Sequence, residues 1–247
     1  MATFVLVPGA WLGGWCWRDV ARLVREAGHD AVAITLTGLA ERAHLLTPAV
    51  GLDTHMEDVV RTLVGEDLHD VVLVGHSYGG TVTTVAAGRV PERLRGLVYL
   101  DATIPTNGRS NNDVLPPRIA EMVRELAREG GDGWRVPPPP AIDWGLDDVT
   151  RAWIVPKLTP HPLKSLEDTA RFDPGILATL QCSFLCTSMS SGVYQPFLQR
   201  ARAEGWRCRE LGGCHYAMLA VPHVVATALL DLSDERGAER APGPAPR

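Results

Sequence analysis

The sequence is poor in the features that mark several large functional classes. Its 247 residues hold five cysteines, Cys16, Cys182, Cys186, Cys208 and Cys214, none in a CxxC pair. An odd count without paired spacing indicates neither a disulfide framework nor a zinc site, and the thiols read as reduced, small core residues. Excess base is missing too, since the formal charge is -5 with no Lys/Arg stripe, which argues against nucleic acid as a partner. No apolar run approaches the roughly 20 residues that would cross a bilayer. The opening MATFVLVPGA runs directly into an apolar segment without a basic leader or cleavage site, so the expected location is cytoplasmic. HExxH, a P-loop and a GxGxxG after the first apolar segment are all absent, so neither a metal nor a nucleotide or flavin cofactor is expected. A homodimer is left open.

What is present is a rhythm. Short β-branched runs at 3–7, 30–36, 70–75, 94–100, 181–187 and 207–211 alternate with helical patterns at 17–27, 53–66, 77–89, 193–204 and 222–231. This predicts an α/β fold with a mostly parallel sheet of about six strands covered by helices on both faces, in one compact domain. Residues 105–178 break the rhythm with PP at 116, PPPP at 137–140, Trp134, Trp144 and Trp153, and two helical patterns near 117–129 and 147–155. They read as a helical cap inserted between core segments 1–104 and 179–235, because the tryptophans need something to bury against. The Pro- and Ala-rich stretch 236–247 is expected to be disordered.

The strand DVVLVG leads into GHSYGG and then the helical TVTTVAAGRV. Gly75, Ser77 and Gly79 make G-x-S-x-G at a strand-to-helix turn, which presents Ser77 as a nucleophile at the sheet edge, with glycines where a Cβ would strike backbone. The first free N–H of the following helix, that of Tyr78, points to where an oxyanion would form. Its partner donor is expected from the loop PGAWLGGW, at the backbone N–H of Ala10. Among eight histidines, His215 in GGCHYAML follows the last predicted strand, where a loop can carry the imidazole over Ser77 as general base. His76 should face away from Ser77, and His44, His55 and His223 should pack or cap. Trp11, Tyr78, Met189, Met218 and the cap residues Trp144 and Trp153 could line an apolar, partly aromatic substrate pocket; each also reads as ordinary core.

The stretches FVLVPGAWLGGWCW, AITLTGLAERAHLL, VGLDTHMEDVV, VVLVGHSYGGTV, GLVYLDATIP and CHYAMLAVP resemble the α/β-hydrolase branch of plant methylesterases, hydroxynitrile lyases and bacterial pyrethroid-type carboxylesterases, the last most closely. The resemblance runs to about residue 232. It implies an α/β-hydrolase fold and a cofactor-free esterase acting on a small-molecule carboxylic ester, hydrophobic or aromatic, with a methyl ester or a secondary-metabolite intermediate among the options. Two departures stand out. Members of this branch begin the oxyanion loop with His-Gly, where this chain has Pro8. Their acid follows the next-to-last strand in a CT-x-D pattern, and here that place is Met189. Asp101, at the end of the LVYLD strand, is the best substitute; its other reading is a cap for the Asp-Ala-Thr turn. The hydroxynitrile lyases carry Lys after the catalytic His and Thr in the oxyanion loop, where this chain has Tyr216 and Ala10. That difference argues for the esterase, while the missing acid at Met189 keeps cofactor-free lyase chemistry as an alternative; a non-catalytic small-ligand-binding protein is the second alternative.

Overall fold

A computed structural model describes residues 1–139, 145–188 and 192–234. Its main sheet has six parallel strands in the order β2-β1-β3-β4-β7-β8: β1 (Thr3–Val7), β2 (Asp30–Ala33), β3 (Val71–His76), β4 (Leu94–Leu100), β7 (Gln181–Thr187) and β8 (Arg207–Leu211). Two further strands, β5 (Arg135–Val136) and β6 (His161–Pro162), pair antiparallel between β4 and β7 in the chain. The main helices are α1 (Arg18–Glu26), α2 (Leu52–Gly65), α3 (Gly79–Ala87), α5 (Pro117–Gly130), α6 (Asp148–Ile154), α9 (Gln195–Ala203) and α11 (Pro222–Asp234). Shorter turns of helix are α4 (Asn111–Val114), α7 (Leu163–Glu167), α8 (Ile176–Thr179) and α10 (Ala217–Ala220).

Strand alternation builds two cores from one sheet. Val5, Val7, Val71 and Leu73 point to the side covered by α2, α3 and α9, while Phe4, Leu6, Val72 and Val74 point to the side covered by α1 and α11. The central strands are buried on both faces, which is why their sequences are continuous apolar runs rather than alternating ones.

The strand runs expected at 3–7, 94–100, 181–187 and 207–211 form with those limits. The run at 30–36 stops at Ala33, because β2 is an edge strand whose only neighbour, β1, offers partners for Asp30 to Ala33 alone. The run at 70–75 is displaced by one residue, since Asp70 has φ +55° and cannot belong to a strand. Likewise the helix after β3 begins at Gly79 rather than at 77, because Ser77 has φ +54°.

The order of the sheet reverses at β1, which feeds β2 on one side and neighbours β3 on the other. A crevice forms at such a reversal, beyond the carboxyl ends of the strands. The segment between β4 and β7 lies over it. Ser110 caps α4, its hydroxyl accepting from the Asp113 N–H (3.1 Å) while the Asp113 carboxylate accepts from the Ser110 N–H (2.9 Å). The indole N–H of Trp11, in the loop after β1, donates to the Val136 carbonyl (2.9 Å), and the Thr159 N–H donates to the Trp11 carbonyl (3.2 Å), so the covering segment is tied to that loop.

Candidate active site

Ser77 stands on the turn between β3 and α3 in a left-handed conformation that costs a non-glycine residue about 1–2 kcal/mol. The surroundings hold it there. Its N–H donates to the Leu100 carbonyl (3.3 Å), and its own carbonyl accepts from the N–H groups of Gly80 and Thr103 (each 3.1 Å). Behind the turn, the Asn111 side-chain oxygen is 3.0 Å from the hydroxyls of both Thr81 and Thr103, which are 2.8 Å from each other, so α4 is fastened to the nucleophile turn. Gly9 is required by contact: a Cβ there would lie 2.7 Å from the Ser77 Cβ and 2.9 Å from His76 Nδ1. That closeness brings the loop carrying Ala10 against the nucleophile. Tyr78 is the N-cap of α3, so its N–H is one of the donors a helix start leaves unpaired. Ala10, Ser77 and Tyr78 all line one cavity.

His215 follows β8 and meets Asp101 from the end of β4: Nδ1 is 3.4 Å from Asp101 Oδ2. Asp101 is fully buried, and its carboxylate also accepts from the Thr187 N–H (2.8 Å) and hydroxyl (2.6 Å). Because β4 and β7 are neighbours, a carboxylate at the end of β4 reaches the place where an acid at the end of β7 would have acted. The residue that stands where the branch carries that acid, Met189, lies outside the described residues, as does Trp144.

The His215 ring has two close ring neighbours: the His76 ring, 4.5 Å away centroid to centroid and tilted by 40°, and the Tyr194 ring, stacked at 4.8 Å and 10°. His76 does not simply turn its back, as adjacency to Ser77 suggested. Its Nε2 donates to the His215 carbonyl (2.9 Å), which fixes the backbone of the general-base candidate. Burial and the nearby His215 hold its pKa well below the usual histidine value, so it is a neutral donor, and its buried Nδ1 has no partner among the described residues. The Ser77 hydroxyl bonds to the Tyr194 hydroxyl at 3.0 Å; among the described residues it makes no direct hydrogen bond to His215.

Tyr78 contributes more than a backbone donor. Its buried hydroxyl donates to His55 Nδ1 (2.9 Å), whose Nε2 donates to the Thr37 carbonyl (2.9 Å). Burial lowers the His55 pKa to about 4, consistent with a neutral ring serving both bonds. His55 thus belongs to a fixed polar chain beneath the oxyanion loop.

The cavity measures about 390 Å³, the size of a small-molecule site. Trp11 lines it, as expected. Met218 does not: it packs in the core between the sheet and α1 and α11, only 1% exposed. Trp153 does not either; it lies edge-on to Trp15 at 5.5 Å, with Arg18 and Lys157 over its ring. Tryptophans in the covering segment suggested an aromatic roof, but the roof seen is aliphatic, from Leu115, Ile119, Met122, Val123 and Leu166, with Asn111 and Asn112 as polar members. The residues that the sequence did not flag are Tyr194, Thr187 and Asn111. Thr187 carried a faint signal, as the surviving Thr of the CT-x-D pattern; a lone Tyr ahead of α9 carried none. Among the described residues no cluster of His, Cys, Asp or Glu could hold a metal ion, and no helix is long and apolar enough to cross a membrane.

Fold and site together define an α/β-hydrolase, and the comparison with known proteins agrees: residues 4–228 match the Alpha/beta hydrolase family, to which the chain belongs. The chain is 53% identical over 123 residues to a carbendazim hydrolyzing esterase of Nocardioides sp. (strain SG-4G), covering 50% of this chain and 51% of that protein. It is 32% identical over 137 residues to Methylesterase 1 of Arabidopsis thaliana, covering 52% of each. The matches thus span about half the length of these curated relatives. An extracellular α/β-hydrolase from a Paenibacillus species shares the fold with a TM-score of 0.83 at 23% identity, over 94% of this chain and 99% of that one. A pyrethroid hydrolase does so with a TM-score of 0.73 at 18% identity, over 95% and 98%.

Proposed function

We propose that the protein is a serine-dependent carboxylic ester hydrolase in which Ser77 is the nucleophile, His215 the general base and Asp101 the acid that orients it. The observation that carries this reading is the Asp101–His215 pair converging with the Ser77 turn on one cavity. Ser77 Oγ attacks the acyl carbon while its proton passes to His215 Nε2. The Asp101 carboxylate holds Nδ1–H and so selects the tautomer whose Nε2 is free to accept, besides stabilising the imidazolium. The carbonyl oxygen, as it gains charge, is received by the N–H groups of Ala10 and Tyr78. His215 then protonates the departing alcohol, and water repeats the sequence on the acyl-enzyme.

In this reading 105–178 is a cap whose aliphatic inner wall selects an uncharged, hydrophobic acyl group of modest size. Relatives named as a carbendazim hydrolyzing esterase and as methylesterases support an ester of a small alcohol as substrate. A cytoplasmic location is supported by five free cysteines, four of them buried.

The test is hydrolysis of p-nitrophenyl esters and labelling by a fluorophosphonate, compared between the wild type and Ser77→Ala. One adduct per chain and turnover on the wild type, with neither on the variant, are expected; loss of a nucleophile in such a unit costs on the order of 10⁶ in kcat. An adduct without turnover of any ester would redirect the assignment to lyase chemistry, and no adduct at all to a binding protein.

A further inference from the structure

The Ser77 hydroxyl and the His215 ring share one neighbour that the mechanism above leaves idle. Tyr194 precedes α9, stacks flat on His215 at 4.8 Å and places its hydroxyl 3.0 Å from Ser77 Oγ, on the wall of the cavity. We propose that Tyr194 is a further catalytic residue, whose hydroxyl donates a hydrogen bond to the alcohol oxygen of the ester as that oxygen leaves. The inference rests on the serine-esterase reading and adds a group to it.

The sheet order decides which substrate oxygen Tyr194 meets. The oxyanion donors come from the loop after β1, on one side of β3, and from the turn that follows β3 itself into α3. Tyr194 enters after β7 and His215 after β8, both from the other side. A tetrahedral carbon on Ser77 that points its oxyanion toward Ala10 and Tyr78 therefore turns its alkoxy oxygen toward His215 and Tyr194. In the resting site the phenol is occupied with Ser77. Once Ser77 Oγ is bonded to the acyl carbon it is a poorer acceptor, and the same donor is free for the alkoxy oxygen beside it. When the C–O bond breaks, its electron pair stays on the alkoxy oxygen, and the proton that His215 took from Ser77 moves there to release the alcohol. Tyr194 keeps its own proton throughout. Burial pushes the phenol pKa above its usual value, which suits a group that donates a hydrogen bond without ionising.

The size of the contribution depends on how badly the leaving group needs help. An alkoxide is a strong base and 4-nitrophenoxide a weak one, so the two respond differently to loss of the donor. The experiment measures kcat/KM of wild type, Tyr194→Phe and Ser77→Ala on the methyl ester and the p-nitrophenyl ester of one hydrophobic acid. Phenylalanine keeps the ring stacked on His215, and Tm and the fluorophosphonate labelling rate report whether the site is intact. Tyr194→Phe should lose about 10- to 100-fold on the methyl ester, the worth of one hydrogen bond to a charged group, and stay within about threefold on the aryl ester. Equal losses on both esters, or none on the methyl ester, would overturn the assignment while Ser77→Ala remained inactive. Turnover that survives in Ser77→Ala, or a wild type that hydrolyses neither ester, would instead overturn the serine-esterase reading and the role of Tyr194 with it.

Discussion

Asp101 is the side chain on which the proposed orientation of His215 rests. It is fully buried, in a left-handed conformation at φ +41°, with its N–H bonded to the Leu185 carbonyl (2.8 Å) and both oxygens engaged. Asparagine at this position would set an NH₂ against either the Thr187 donors or His215 Nδ1–H. In the second case the imidazole is driven to the wrong tautomer. Asp101→Asn should therefore lower kcat on a p-nitrophenyl ester by about 10⁴ while KM changes little. Turnover within a few-fold of the wild type would return Asp101 to the role of a turn cap. Ser77, Asp101 and His215 could be singled out as candidates in the sequence because each follows a recognisable strand, Ser77 and Asp101 directly and His215 in the loop after β8. Tyr194 was not legible, since a hydroxyl delivered from a distant element leaves no pattern around it in the chain. Met218 takes the other reading the sequence allowed, ordinary core, and Trp153 stands away from the cavity against Trp15, Arg18 and Lys157.

Among the elements, the loop after β1 is the one whose form the nucleophile turn dictates. Gly9 lies so close to Ser77 and His76 that any Cβ must push the two segments apart. Such a shift moves the Ala10 N–H away from the acyl oxygen. Gly9→Ala should accordingly lower kcat about 10²–10³-fold, as the loss of one oxyanion donor does. His76 Nδ1, which faces the same spot, gives a second readout: the Gly9→Ala Tm should fall as well, because the imidazole that anchors the His215 carbonyl is displaced. An unchanged kcat would remove Ala10 from the oxyanion hole. Most strands were readable in the sequence, because a buried parallel strand must be a continuous β-branched run. Their limits failed where a neighbour ran out, as at β2, or where a positive φ intervened, as at Asp70 and Ser77.

For the whole molecule, buried neutral histidines set the response to acid. His55, His76 and His161 are completely buried, and burial depresses all three pKa values, that of His55 to about 4. Between the unfolded value near 6.5 and the folded value, the unfolded chain binds protons that the native protein refuses, so stability rises with pH through this window and is lost as pH falls through it. Tm should drop steadily from pH 7 to pH 4.5. His55→Gln, whose amide can stand in for the ring toward the Thr37 carbonyl, should flatten that slope even if it lowers Tm at pH 7. An unchanged slope would locate the acid sensitivity elsewhere.

The order of the sheet also governs how the chain can reach it. β1 is made first yet lies between β2 and β3, and Gly96 of β4 pairs with Gln181 only after the entire covering segment has been synthesised. Until then one flank of β4 is an open row of amides and carbonyls on a hydrophobic strand, the kind of edge that seeks partners in other chains. Pairing this remote in sequence is slow, because loop closure must be paid before the contact returns anything. The same arrangement that lets Asp101 and Thr187 meet side by side therefore delays the site until β7 and the loop carrying His215 have been made, and leaves the flank of β4 open to aggregation in the interval before β7 docks.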